Sequence, residues 1–366
     1  MLNFWHSVGN WPEMAVAARP PNGIMMRRQS SFSCATSFSL LFLPEHQLTA
    51  LGRTWLVVGG LALLSGCASN IGGLIAELDG RHTSIELEHV PFYSQVTDQC
   101  GPAALATILN DAGMPVSLEE LKPLVYTPER QGSLQLDLIG AARQIGRIPY
   151  QIDASLEAIL GELDAGRPVL VLQNLGIAWA PAWHYAVVVG YLPSEQQFVL
   201  RSGKQERLLM QARLFVRTWK RGDFWAIVAL SPGEMPADPD PDRYLRSVAA
   251  AESFGKLDNA IAAYQVATEK WPDGSLAWLG FGNALYLAGE LLEAGNAYRT
   301  VLQIDPADRI AMNNLAQVYL GLGCRDEALA TINAALSDVG RTNPVHDNLL
   351  TTKREIMRSN AGTQCP

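Results

Sequence analysis

Gln95-Val-Thr-Asp-Gln-Cys100-Gly-Pro-Ala-Ala-Leu105 places a cysteine where an apolar-periodic helix begins. Pro102 suits the first turn, and Ala103, Ala104, Leu105, Ile108 and Leu109 continue with helical spacing. A thiol at that position feels the positive end of the helix dipole, which favours the thiolate and so prepares a nucleophile. The bland alternative is a small buried hydrophobe. A second stretch tips the balance. Trp183-His184-Tyr185-Ala186-Val187-Val188-Val189-Gly190-Tyr191 reads as a buried strand with a histidine at its mouth, placed to face a nucleophile on a separate helix.

Together the two stretches resemble the papain-like cysteine peptidases of the bacteriocin-processing family, which remove leader peptides after a Gly-Gly pair. The resemblance spans roughly residues 86 to 230. It implies Cys100 as nucleophile, His184 as general base and acid, and Gln95 as oxyanion donor, with Gln99 a rival for the last role. Acyl transfer through a thioester requires these three kinds of group: a thiolate, a proton carrier for the leaving amine, and a donor aimed at the developing oxyanion. Family members usually carry an Asp-Pro on the strand after the histidine strand, where the Asp orients the imidazole. Here that strand, Gln197-Phe198-Val199-Leu200, ends in Arg201-Ser202-Gly203 without a carboxylate. Ser202 or a backbone carbonyl can supply the acceptor that orientation needs, although neither stabilises an imidazolium as a carboxylate does. Asn174 is another polar candidate, read more simply as the turn that ends its strand. An active peptidase and a catalytically silent binding scaffold therefore both fit. Trp179 and Trp183 flank a proline directly before His184, where they either wall a groove for an extended peptide or fold back on their own domain.

The chain has 366 residues and a formal net charge of -8, which argues against a nucleic-acid partner. Its five cysteines, Cys34, Cys67, Cys100, Cys324 and Cys365, show no metal-ligand spacing and the six histidines are scattered, so neither a metal nor a cofactor is expected. Residues 1–50 mix Ser, Pro, Arg and isolated aromatics without a period, as expected of a disordered segment or of a start assigned too far upstream, with translation beginning near Leu48 or Leu51. Residues 51–67 join a short basic segment, an apolar stretch and Leu64-Ser-Gly-Cys67. That ending resembles the bacterial lipobox and implies a lipoprotein signal peptide with Cys67 diacylated as the mature N-terminus. Ala68 and Asn70 follow without an Asp, so the expected place is the outer membrane facing the periplasm, with residues 68–84 as a tether.

Residues 85–230 read as an α+β domain. An entering strand at 85–90 precedes the Cys100 helix, and further helices are expected at 118–125, behind a Ser117/Glu120 capping box, at 134–145 and at 155–163. Strands follow at 169–172, 184–191, 197–201, 205–209 and 225–230. Four prolines in residues 231–241 read as a stiff linker between domains. Residues 242–340 then repeat with a 34-residue period: Tyr244, Trp278 and Met312 align, as do Ala260, Ala294 and Ala328. The middle unit, with Trp278, Phe281-Gly282, Leu285, Ala294, Tyr298 and Pro306, resembles the tetratricopeptide pattern. Residues 341–366 are left for a C-terminal helix and tail. The whole reads as an α+β papain-like cysteine peptidase domain followed by an all-α tetratricopeptide solenoid. The resemblance implies a concave groove for a peptide or protein partner, involving Asn283, Asn313, Asn314 and Gln317, which also suit a plain solvated helix face. Leader processing coupled to transport fits poorly, because the chain has no phosphate-binding loop motif and no bundle of spans.

Overall fold

A computed structural model describes residues 73, 75, 78, 80, 83–94, 99–177, 179–337 and 345–359. The expected signal peptide, Cys67 and Gln95 lie outside the described residues.

The Cys100 stretch forms helix α1 (Cys100–Asp111), buried on all sides from Gly101 to Leu109. It is the central helix of the domain, and its apolar surface is covered by α2 (Leu118–Val125), α3 (Gln135–Ile145) and the sheet. The capping box forms as read: Glu120 N donates to Ser117 Oγ, and Ser117 N donates to Glu120 Oε2 at 2.8 Å. Helix α4 (Leu156–Asp164) starts on Ser155, whose hydroxyl accepts from Ala158 N. Helix α5 (Ala212–Lys220), which the sequence reading passed over, packs Phe215, Val216 and Trp219 inward.

Among the described residues seven strands form one antiparallel sheet: β1 (Ile85–Glu86), β2 (Ile148–Gln151), β3 (Val169–Asn174), β4 (Trp183–Leu192), β5 (Gln197–Ser202), β6 (Gln205–Gln211) and β7 (Ala226–Leu230). Their order is β2-β7-β3-β4-β5-β6, with β1 also paired to β4. Gly190 lets β1 come close, because a Cβ there would meet Ile85 O at 2.5 Å. β4 and β5 pair as Val187 with Arg201 and Val188 with Leu200, then shift so that Gly190 faces Val199, leaving Val189 as a bulge whose carbonyl accepts from Leu87 N. β2, also missed from sequence, is an edge strand and so tolerates Pro149.

Past the sheet, α6 (Pro241–Glu252), α7 (Leu257–Lys270), α8 (Ser275–Ala288), α9 (Leu291–Ile304), α10 (Arg309–Gly321) and α11 (Arg325–Leu336) form three helix pairs, followed by α12 (His346–Arg358). Tyr244, Trp278 and Met312 each stand fourth in their helices, and Ala260, Ala294 and Ala328 are buried where the paired helices meet. The proline-rich linker does not hold the halves apart as a spacer would. Ala237 N donates to Glu162 Oε1, Asp240 N to Tyr150 OH, and Tyr244 OH to Glu234 O. α6 packs on β2, where Arg243 lies over the Tyr150 ring and pairs with Asp153 at 2.6 Å. One apolar core runs from the sheet into Tyr244, Val248 and Ala263 of the first repeat.

Candidate active site

Cys100 is the first residue of α1 and half-buried. Gly101 behind it lets the loop after α2 close on the helix start, since a Cβ there would meet Ser133 Oγ at 2.2 Å. On the sheet, His184 is the second residue of β4. Both line one cleft of about 850 Å³, together with Ser133, Trp183, Gly203 and Asp223.

The imidazole is held by Ser202, with His184 Nε2 and Ser202 Oγ 2.8 Å apart. Sheet register explains the meeting. Continuing the Val187–Arg201 pairing by one step sets Ser202 beside Ala186, on the face that His184 shares two residues away. A slip by one residue would offer Arg201 or Gly203 instead. Burial holds the His184 pKa below the ordinary histidine value, so the ring is neutral at neutral pH and able to accept a proton.

Tyr185 was not singled out from sequence, yet it stands next to the thiol. Its pKa is pushed well up, first by burial and then by the negative potential of Cys100, and its hydroxyl donates to Ser133 O at 3.2 Å. The only sequence signal for it was its place beside His184. Gln99 sits at the N-cap of α1 without a side-chain capping bond.

Asn174 takes the turn role: its Oδ1 accepts from Gly176 N and Ala182 N, both at 3.0 Å, and so closes the loop between β3 and β4. That loop carries Trp179, 84% exposed and outside the cleft lining, while Trp183 lines the cleft and is 55% exposed. In the repeats, Asn283 Oδ1 accepts from Tyr298 OH and Asn314 Nδ2, and Asn313 Nδ2 donates to Asn314 Oδ1. These amides bond to one another and to Tyr298, linking the second helix pair to the third, and Asn313 and Asn314 are buried. Gln317 donates to Thr352 Oγ1 and Glu355 Oε2 of α12.

Residues 87–211 match the Peptidase_C39 like family, and residues 249–309 and 285–351 match tetratricopeptide repeat families. The chain is thus an α+β C39-like domain followed by a run of tetratricopeptide helices. Among solved structures, it is similar to a C39-like peptidase from Bacillus anthracis, with 17% identity over 41% of this chain and 98% of that one, at a TM-score of 0.35. Its helical part is similar to the TPR2B domain of yeast Sti1, solved in complex with pHsp70, with 16% identity over 32% of this chain and 95% of that one, at a TM-score of 0.31. It is also similar to the Sgt2 TPR domain from Aspergillus fumigatus, with 21% identity over 35% and 87%, at a TM-score of 0.30. No curated protein matches the chain.

Proposed function

We propose that the chain is a lipid-anchored cysteine peptidase of the cell envelope whose repeats recruit a protein or peptide. The observation that carries the reading is the hydrogen bond between His184 Nε2 and Oγ of the buried Ser202, with His184 lining the cleft that Cys100 also lines. With Nε2–H donating to the serine, the lone pair of Nδ1 is left for the thiol. His184 takes the Cys100 proton as Sγ attacks the peptide carbonyl, and the tetrahedral intermediate collapses to a thioester as the imidazolium protonates the leaving amine. Water, deprotonated by the same imidazole, then hydrolyses the thioester and restores the thiol. Gln95 is the proposed donor to the oxyanion.

Ser202 is neutral, so it brings no charge to stabilise the imidazolium that forms when His184 takes the thiol proton. Burial of His184 acts in the same direction. Trp183 offers an apolar wall to the bound peptide. The envelope location follows from the lipobox at Cys67 and the outer-membrane choice from Ala68 and Asn70; the disulfide bond at Cys324 fits an oxidising compartment.

The same neutral serine favours a second reading, a silent domain that binds peptides without cutting them. Site-resolved labelling with iodoacetamide between pH 6 and 8 separates the two. A peptidase shows fast alkylation of Cys100 that His184→Ala abolishes, whereas slow labelling indifferent to His184 leaves the scaffold.

A further inference from the structure

Arg201 stands one residue before Ser202 and is only 6% exposed. Its Nη1 donates to Glu206 O at 2.7 Å, its Nη2 to Val90 O at 3.2 Å and Glu88 O at 3.3 Å, and its Nε to Val90 O at 3.3 Å. Among the described residues, every hydrogen bond of this guanidinium goes to a main-chain carbonyl. A buried cation loses hydration that an apolar side chain of similar length would not lose, so it is a poor means of filling space. What a guanidinium adds is direction: a rigid planar fork fixes several acceptors relative to one another.

The acceptors it fixes flank Ser202. Glu206 lies where β6 has one residue more than β5, between the pairs Leu200–Leu208 and Ser202–Gln205. Glu88 and Val90 belong to the segment that follows β1. That segment also reaches the nucleophile helix, because His89 Nε2 lies 3.3 Å from Asp111 Oδ1 at the last residue of α1. The far end of the helix that starts at Cys100 and the end of β5 that carries Ser202 are thereby tied through residues 88–90.

We propose that Arg201 is a positioning residue, whose grip on the carbonyls of Glu88, Val90 and Glu206 holds the end of β5 so that Ser202 Oγ stays in reach of His184 Nε2. The inference rests on the reading of Cys100 and His184 as nucleophile and base. Its physical reason lies in the exchange of a carboxylate for a hydroxyl. A carboxylate attracts an imidazolium over several ångströms, and the attraction fades slowly with distance. A neutral hydroxyl works only within hydrogen-bond length and angle, so its strand has to be fixed more tightly.

A double-mutant cycle on the full chain tests this, read as the rate of Cys100 alkylation by iodoacetamide at pH 7 with each cysteine resolved by mass spectrometry. Arg201→Met and Ser202→Ala are each expected to slow the reaction about tenfold, the scale of coupling between neighbours. The double variant is expected to be no slower than Ser202→Ala alone, and Arg201→Lys, which keeps the charge and loses the fork, to fall between wild type and Arg201→Met. Independent, multiplying effects overturn the proposal, as does a wild-type rate in Arg201→Met. If Arg201→Met loses its cooperative thermal transition, Arg201→Lys carries the cycle; loss of the transition in both variants also overturns it, because Arg201 would then hold the fold and not the serine. His184→Ala serves as the separate control. If that variant slows alkylation while the cycle is additive, only the role of Arg201 falls; if it does not, the reading of the pair falls first.

Discussion

At the scale of single residues, the chemistry turns on what a hydroxyl can and cannot do for an imidazole. Ser202 orients His184 but brings no charge to stabilise its protonated form. Replacing it by Asp is expected to raise the histidine pKa and to speed Cys100 alkylation at pH 6 about tenfold; an unchanged or slower rate would refute that account. The native ring should behave in the opposite sense. Because burial lowers its pKa from the ordinary 6.5, the imidazole stays neutral to lower pH, and the acid limb of peptide cleavage is expected below pH 6.5. The same shift means that the folded state disfavours the imidazolium, so stability is expected to decline as pH falls below 6.5 and through the lowered value. Cleavage whose acid limb lies above pH 6.5 would show another group in control. Of these residues, Cys100 and His184 were legible in the sequence because each opens a helix or strand whose period is local. Ser202 was legible only as one option among several. Its place beside the ring depends on cross-strand register and a bulge at Val189, which no local pattern encodes.

At the scale of elements, helix α1 depends on a glycine where its neighbour loop closes. Gly101→Val would drive a side chain into Ser133, and with Ser133 displaced the backbone oxygen that takes the Tyr185 hydroxyl bond moves as well. Thermal unfolding should then fall by several degrees, at about 1–3 kcal/mol for an overpacked site. Helix α6 offers a contrasting case in Glu252, 5% exposed, whose carboxyl is raised to about 7 by burial, while a hydrogen bond from Tyr264 pulls it down. A carboxyl raised this way binds its proton more tightly when folded. Stability therefore falls as pH rises from the unfolded value of 4.5 towards 7 and then levels off. Glu252→Gln is expected to raise the melting temperature at pH 8, by a free energy on the order of 3 kcal/mol at most, and to change little at pH 4. Equal shifts at both pH values would argue against the protonation account. The repeats themselves were plain in the sequence, because a fixed period marks the start of every helix. β2 and α5 were not. Pro149 argues against a strand unless that strand lies at an edge, and α5, although Phe215, Val216 and Trp219 recur at helical spacing, is only nine residues long and set between two strands.

At the scale of the whole molecule, the described chain joins a sheet to an array of helices through its own edge. β2 would otherwise present an unpaired row of backbone groups, the kind of edge that recruits other chains. α6 covers it, and the Tyr150–Arg243–Asp153 contacts hold the cover in place. A chain cut after Asp240 is expected to self-associate in size-exclusion chromatography, whereas the chain through residue 359 elutes as one species; a cut chain that stays monodisperse with an unchanged melting temperature would contradict this. The prolines at 231–241 showed where regular structure stops, but the docking of α6 on β2 is a long-range match that sequence period does not report. The covered edge also sets a direction for growth. With the first helix pair welded to the sheet, 34-residue modules can be gained or lost only between that pair and the closing helix α12. The length of the array can therefore drift over evolution, or be changed by a designer, while the mouth of the cleft keeps its shape.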